Sequence, residues 1–244
     1  SNNTGPTSTP NVEITGEASV PEANNYQVKY STFGLLPVGG RLDMCLHVWK
    51  TLTSDPWILQ TIQGYCIEMY HLPVQLVFPE PLRMSTVHSF SLQQEIQSLL
   101  LKQAIEPCRF DPSGFLSTIF LVQKKNKKFR LVINLKEFNP FVVYHHFKME
   151  NILHLKDTLL LKDWMIRLDL QDAYLSILVN PDFRKFLQFQ WGGSFFRFRT
   201  LPFGLSSAPW CFTKILKPVV TFLRSQGVRL MVYLDDFLLL SQDQ

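Results

Sequence analysis

Three aspartates stand where strands are expected, and they define the chemistry open to this chain. In Arg167-Leu168-Asp169-Leu170, strand alternation sends Leu168 and Leu170 to one face and Asp169 to the other. In Val232-Tyr233-Leu234-Asp235-Asp236-Phe237-Leu238, two adjacent acids interrupt an apolar run. Ionised carboxylates in such company repel one another and resist desolvation unless a cation joins them. The cation that suits them is Mg2+, a hard ion usually held by one or two carboxylates together with substrate phosphates. A pair of such ions clamps the attacking and leaving oxygens in nucleotidyl transfer. Taken alone, Asp235-Asp236 also reads as a hairpin turn, because Asp tolerates turn dihedrals.

The elements that must carry these acids follow from periodicity and punctuation. Trp164 to Leu170 reads as a strand, Phe183 to Phe198 as strands meeting at Gly192-Gly193, and Met231 to Leu240 as two strands joined at the aspartates. Between them, Ser206 to Ser225 reads as a helix with Phe212, Ile215, Leu216, Val219, Phe222 and Leu223 on one side, closed by Gly227. Pro218 is expected to kink or break it. Upstream, Ser91 opens a helix with Gln94 as its capping-box partner and Leu92, Ile96, Leu99 and Leu100 as its stripe. A long hairpin follows, with apolar Phe115 to Val122 and Phe129 to Leu135 flanking a basic tip. Met149 to Leu161 reads as a further helix, and His145-His146 as loop surface. Near the start, Arg41 to Leu52 has helical spacing, and Asp55-Pro56 opens a second short helix. Ser1 to Tyr30 is polar and poor in large apolar residues, which predicts a disordered tail.

Composition bounds the rest. The 244 residues are 46% hydrophobic and 13% aromatic, which excludes wholesale disorder. A net charge of +4 is compatible with a nucleic-acid partner without identifying one. Charged residues at 18% imply large buried faces or a surface that something else covers. No apolar run reaches the roughly 18 residues of a membrane-spanning helix, so no membrane partner is expected. Four widely spaced cysteines without a CxxC pair point away from zinc and disulfides, towards a reducing intracellular compartment. With no Met at position 1 and an abrupt end at Gln244, the chain reads as a fragment of something longer.

The block Tyr233-Leu234-Asp235-Asp236 resembles the Tyr-X-Asp-Asp signature of reverse transcriptases, and four further blocks resemble that family in the right order. Leu168-Asp169-Leu170-Gln171-Asp172-Ala173-Tyr174 is similar to the first catalytic block. Leu201-Pro202-Phe203-Gly204-Leu205-Ser206-Ser207-Ala208-Pro209 is similar to the template-and-nucleotide block. Lys124 to Asn139 resembles the fingers hairpin, and Ile105-Glu106-Pro107 with Ser117 its lead-in. Val38-Gly39-Gly40-Arg41-Leu42, Thr53-Ser54-Asp55-Pro56-Trp57 and His146-Phe147-Lys148-Met149-Glu150 look like segments of the DIRS-type tyrosine-recombinase retrotransposons.

The resemblance implies an α+β right-hand polymerase: a disordered tail (1–30), an N-terminal helical and extended segment (31–89), fingers (90–150), and a palm (151–244). The palm would hold an antiparallel βαββ-like sheet, with thumb and RNase H lying beyond this chain. It implies RNA-directed DNA polymerisation with two Mg2+ ions, Mn2+ as a substitute, and an RNA or DNA template-primer and dNTPs as partners. Asp169 and Asp235 would hold metal, with Asp236 beside them. Backbone N–H groups of Asp172 and Ala173 would face the triphosphate, and Tyr174 would block a ribose 2′-hydroxyl, unless it is simply a core aromatic. Lys124 and Arg130 match the fingers residues that hold the triphosphate, with Lys125 a close competitor for Lys124. The lysines at 124, 125, 127 and 128 read equally as a solvated tip or a template-phosphate patch. Gly204 would let the backbone pass close to the templating base pair. Phe203 stands where retroviral enzymes carry Gln and substitutes packing for a polar contact. Asn134 stands where many relatives have Asp and is assigned no role; Trp49 and Trp57 are expected to pack. Without a thumb, weak or no activity is expected of this fragment. The competing readings are a decayed or co-opted retroelement remnant that at most binds nucleic acid, and a DNA-templated polymerase.

Overall fold

The computed structural model describes residues 37–80, 86–123, 129–150 and 156–242. The expected tail over 1–30 and the tip lysines Lys124, Lys125, Lys127 and Lys128 lie outside them. Chain order runs α1 (Leu46–Leu52), α2 (Pro56–Gln63), α3 (Thr86–Leu101), β1 (Ile105–Cys108), β2 (Leu116–Ser117), β3 (Ile119–Gln123) and β4 (Phe129–Ile133). It continues with β5 (Trp164–Asp169), β6 (Gln188–Trp191), β7 (Ser194–Phe198), α4 (Ala208–Ser225), β8 (Arg229–Tyr233) and β9 (Asp236–Ser241). No helix among the described residues is long and apolar enough to cross a membrane.

The strands form a four-stranded sheet ordered β1-β7-β6-β2, a two-stranded β3-β4 ribbon, and a three-stranded sheet ordered β5-β9-β8. The last is antiparallel, and β5, α4, β8 and β9 come in that order along the chain, with β6 and β7 of the four-stranded sheet inserted between β5 and α4. Helix α4 supplies its cover by burying Ala208, Cys211, Phe212, Ile215 and Leu216. It runs unbroken through Pro218, although a proline there cannot donate to the carbonyl one turn back. Gly227 closes it at φ +80°, and its N–H reaches the Arg224 carbonyl.

Residues 37–80 are built into the same core and behave as a strap around it. The N–H groups of Gly40, Leu42 and Tyr65 donate to the carbonyls of Leu175, Ser176 and Leu178. The Gln75 carboxamide makes both hydrogen bonds to the Leu116 backbone at 2.8 Å. Asp55 caps α2 by accepting from Trp57 N–H at 2.8 Å, and Pro56 occupies the first helical position, so that local reading holds. Trp57 then packs edge-on against Trp210 of α4, with the Lys214 ammonium 3.7 Å from its ring centre. Trp49 is buried. Both tryptophans therefore pack, as expected.

Several sequence expectations give way. Helix α3 begins by Thr86, and Ser91 lies inside it; serine is tolerated in a helix interior, so a cap-like spacing alone does not mark a start. Its stripe survives: Leu92, Ile96 and Leu99 are buried. Pro107 sits in strand β1, permitted because β1 is an edge strand. Leu116–Ser117 pairs with β6 instead of joining the hairpin, which spans β3 and β4 alone. Pro181 to Leu187 is 3-10 helical, started by the Asn180 side chain accepting from Asp182 N–H, so the strand begins only at Gln188. Met149 and Glu150 are not helical, and helix is described only at 156–158 of the predicted 149–161.

Candidate active site

The β8–β9 hairpin turns on two residues, Leu234 and Asp235, and Asp236 is already the first residue of β9. The tight turn is made by Leu234 at φ +54°, a left-handed conformation that costs a branched L-residue about 1–2 kcal/mol. The register pairs Asp169, the last residue of β5, directly with Asp236. Directly opposed residues share a face, with Cα atoms about 5 Å apart. Asp235 is tied to the end of β5 because its carbonyl accepts from Leu170 N–H at 2.9 Å. The hairpin turn that the sequence allows at Asp235-Asp236 is thus present, centred on Leu234 and Asp235. Strand register brings the three aspartates to one end of the sheet.

Burial does not mark these acids. Asp169 is exposed, Asp235 and Asp236 are half-buried, and every residue of β5 is exposed. Ile166 keeps 62% of its surface and Trp164 52%. Among the described residues no set of three or more His, Cys, Asp and Glu converges tightly enough to form a preformed metal cage. A cation of the chain's own instead sits on the turn: Arg167 Nε and Nη2 donate to Asp236 Oδ1 at 3.0 and 2.8 Å. Asp236 first, then Asp169 and Asp235, raise the Arg167 pKa.

Beside the acids, the chain turns sharply through Asp172 at φ +56°, which caps the 3-10 segment Ala173–Ser176. The Asp172 carboxylate pairs with Lys102 Nζ at 2.8 Å, so its side chain is engaged. Ala173 is buried. The Tyr174 ring lies 5.1 Å from Phe203 and 5.3 Å from Phe212, centre to centre. Burial, and secondarily the charge of Asp235, pushes its phenol up to about 12. The Arg130 guanidinium lies 4.2 Å over the centre of the Phe203 ring. Arg130, Phe203 and Tyr174 therefore form a line of contacts, the guanidinium over Phe203 and the Phe203 and Tyr174 rings tilted 40° to one another.

Gly204 follows at φ +105°, and a Cβ there would stand 2.7 Å from the Ile133 carbonyl. The close approach that demands glycine is therefore made by the chain's own β4. Asn139, to which the sequence alone assigns no role, donates its carboxamide N–H to the Gly204 carbonyl and accepts from Ser206 N–H, both at 2.9 Å. It clamps the loop that carries Phe203. Its place at the end of the run Asn134 to Asn139 was the available signal, but spacing does not reveal a partner 65 residues away. Asn134 is exposed and bonds locally to Thr118 and Lys136. His145 departs from expectation: it stacks on Trp210 at 3.7 Å with its Nε2 3.1 Å from Glu68 Oε2, whereas His146 is exposed.

A family profile described as reverse transcriptase (RNA-dependent DNA polymerase) matches residues 122–244. The retrovirus-related Pol polyprotein from transposon 412 of Drosophila melanogaster is 27% identical over 155 residues, covering 61% of this chain and 12% of that polyprotein. The native prototype foamy virus protease-reverse transcriptase superposes with a TM-score of 0.57 at 20% identity, covering 75% of this chain and 23% of that one. A foamy viral protease-reverse transcriptase solved in complex with dsDNA gives a TM-score of 0.56 at 23% identity over 72% of this chain and 36% of its own. The chain thus spans about an eighth of the curated relative's length and shares its fold with a part of each solved enzyme.

Proposed function

The chain belongs to the reverse transcriptase (RNA-dependent DNA polymerase) family, and on that premise we propose that it carries the polymerase centre of a retrotransposon enzyme of the DIRS type. In this reading residues 90–150 are fingers and 151–244 palm. The reaction is attack of a primer 3′-hydroxyl on the α-phosphate of a dNTP, with pyrophosphate leaving. The observation that carries it is the pairing of Asp169 with Asp236 at the turn that holds Asp235, with the Arg130–Phe203–Tyr174 line of contacts alongside.

The donor set fits a hard divalent cation. Asp169 and Asp235 are oxygen donors brought to one strand end, and an open pair completed by substrate phosphates is how Mg2+ is ordinarily held. When bound, Mg2+ or Mn2+ supplies charge neutralisation at the attacking and leaving oxygens. The chain's own residues do the positioning. Arg130 offers guanidinium N–H groups to the triphosphate from its seat on Phe203. The αL turn at Asp172 presents the backbone N–H groups of Asp172 and Ala173. Tyr174 walls the sugar side, where its ring leaves no room for a 2′-hydroxyl. Lys124, outside the described residues, serves as a second triphosphate cation in this reading. A template-primer duplex of RNA or DNA is the partner.

The test is single-turnover incorporation of dNTPs on primed RNA and primed DNA templates, with protein in large excess so that slow chemistry still registers. Extension on RNA, abolished in Asp235→Asn, supports the reading. Binding of the template-primer without any incorporation would assign the chain a nucleic-acid-binding role, and extension confined to DNA would reassign the template.

A further inference from the structure

We propose that Arg167 is a resident counter-charge of the acidic turn: its guanidinium engages Asp236 and so leaves Asp169 and Asp235 as the carboxylates available to a divalent ion. The inference rests on the polymerase reading above and adds a positioning residue to it. Two residues before Asp169 on β5, Arg167 projects from the face that Asp169 and Asp236 share. Both N–H groups converge on one oxygen of Asp236. The Arg167 side chain is 71% exposed and Asp236 37%. An ion pair so open to water contributes little to folding. Its consequence lies in the field of the turn. With the arginine in place, the three aspartates keep a surplus negative charge equal to that of one divalent ion. Without it, the hairpin would concentrate three like charges within a strand end, and Asp236 would be free to compete for the metal.

The arrangement predicts a direction opposite to that of an ordinary supporting residue: removing Arg167 should tighten metal binding. A unit charge roughly 6 Å from a divalent ion alters its affinity about tenfold even at a water-like dielectric. The experiment is Mn2+ titration followed by electron paramagnetic resonance, with circular dichroism to establish folding. It uses the chain and its variants Arg167→Met, Arg167→Gln, Arg167→Lys, Asp235→Asn and the double variant Arg167→Met/Asp236→Asn. Either neutral replacement should tighten Mn2+ about tenfold, Arg167→Lys should stay near the parent, and Asp235→Asn should weaken binding strongly. The double variant removes both partners, preserves the net charge, and should bind as the parent does. Neutral variants within about twofold of the parent, or a double variant weakened more than about threefold, would overturn the counter-charge role while Asp235→Asn still upholds the metal site. Parent and Asp235→Asn binding Mn2+ alike, or neither binding it, would remove the metal reading itself and this inference with it.

Discussion

At the scale of the residue, Tyr174 is where packing and charge meet. Its ring is held between Phe203 and Phe212, and its hydroxyl lies within the field of Asp235. Because its folded pKa is raised from 10 to about 12, the neutral phenol is favoured in the folded state. Its contribution is complete below about pH 10 and fades as pH climbs towards 12, since the unfolded chain ionises first. Urea midpoints of the parent and Tyr174→Phe should therefore keep a constant difference from pH 7 to 9. Above that, the difference should shift in favour of the variant. Phe203 makes the second prediction at this scale. Replacing its ring by leucine keeps apolar bulk but removes the cation–π seat of Arg130, and dNTP affinity should fall about two- to fivefold, read from the dNTP dependence of single-turnover extension. The aspartates were legible because their residue types are improbable in apolar runs. Asn139 was not, because an amide declares its partners only once the chain has folded.

At the scale of the element, local punctuation fixes some boundaries and distant partners decide the others. Asp55-Pro56 and Gly192-Gly193 fix backbone angles on their own, so α2 and the β6–β7 turn fall where expected. The apolar run from Phe183 does not choose between strand and 3-10 turn by itself; Asn180 and Pro181 decide it. The edge position of β1, which lets Pro107 into a strand, is set by pairing with β7, more than 80 residues later. The loop carrying Phe203 and Gly204 illustrates the same dependence on distance, since the Asn139 clamp holds it against β4. Asn139→Ala should cost about 1–2 kcal/mol for its two hydrogen bonds, measured by urea unfolding. The same variant should weaken dNTP binding, because the loop presents the ring on which Arg130 rests. The β8–β9 hairpin is strained by design of its turn: Leu234 holds a left-handed angle that a glycine would adopt freely.

Across the whole molecule, the core does not respect the distinction between the segments that carry the three aspartates and the stretch that precedes them. Ile62 and Tyr65 are almost wholly buried, and with Trp49, Ile58 and Ile67 they belong to the same cluster as Leu205, Phe212 and Phe237. Deleting residues 37–80 should therefore abolish cooperative unfolding, since it strips several large side chains at about 2–5 kcal/mol each from a domain of ordinary marginal stability. A chain without that stretch that still melts in one sharp calorimetric transition would disprove the strap. The matched family profile opens at residue 122, inside strand β3, with the strap, α3 and β1 all upstream. The profile's match and the hydrophobic core thus cover different lengths of polypeptide. Anyone excising the recognisable part for expression would cut a strand in two and expose Leu131 and Ile133 to water.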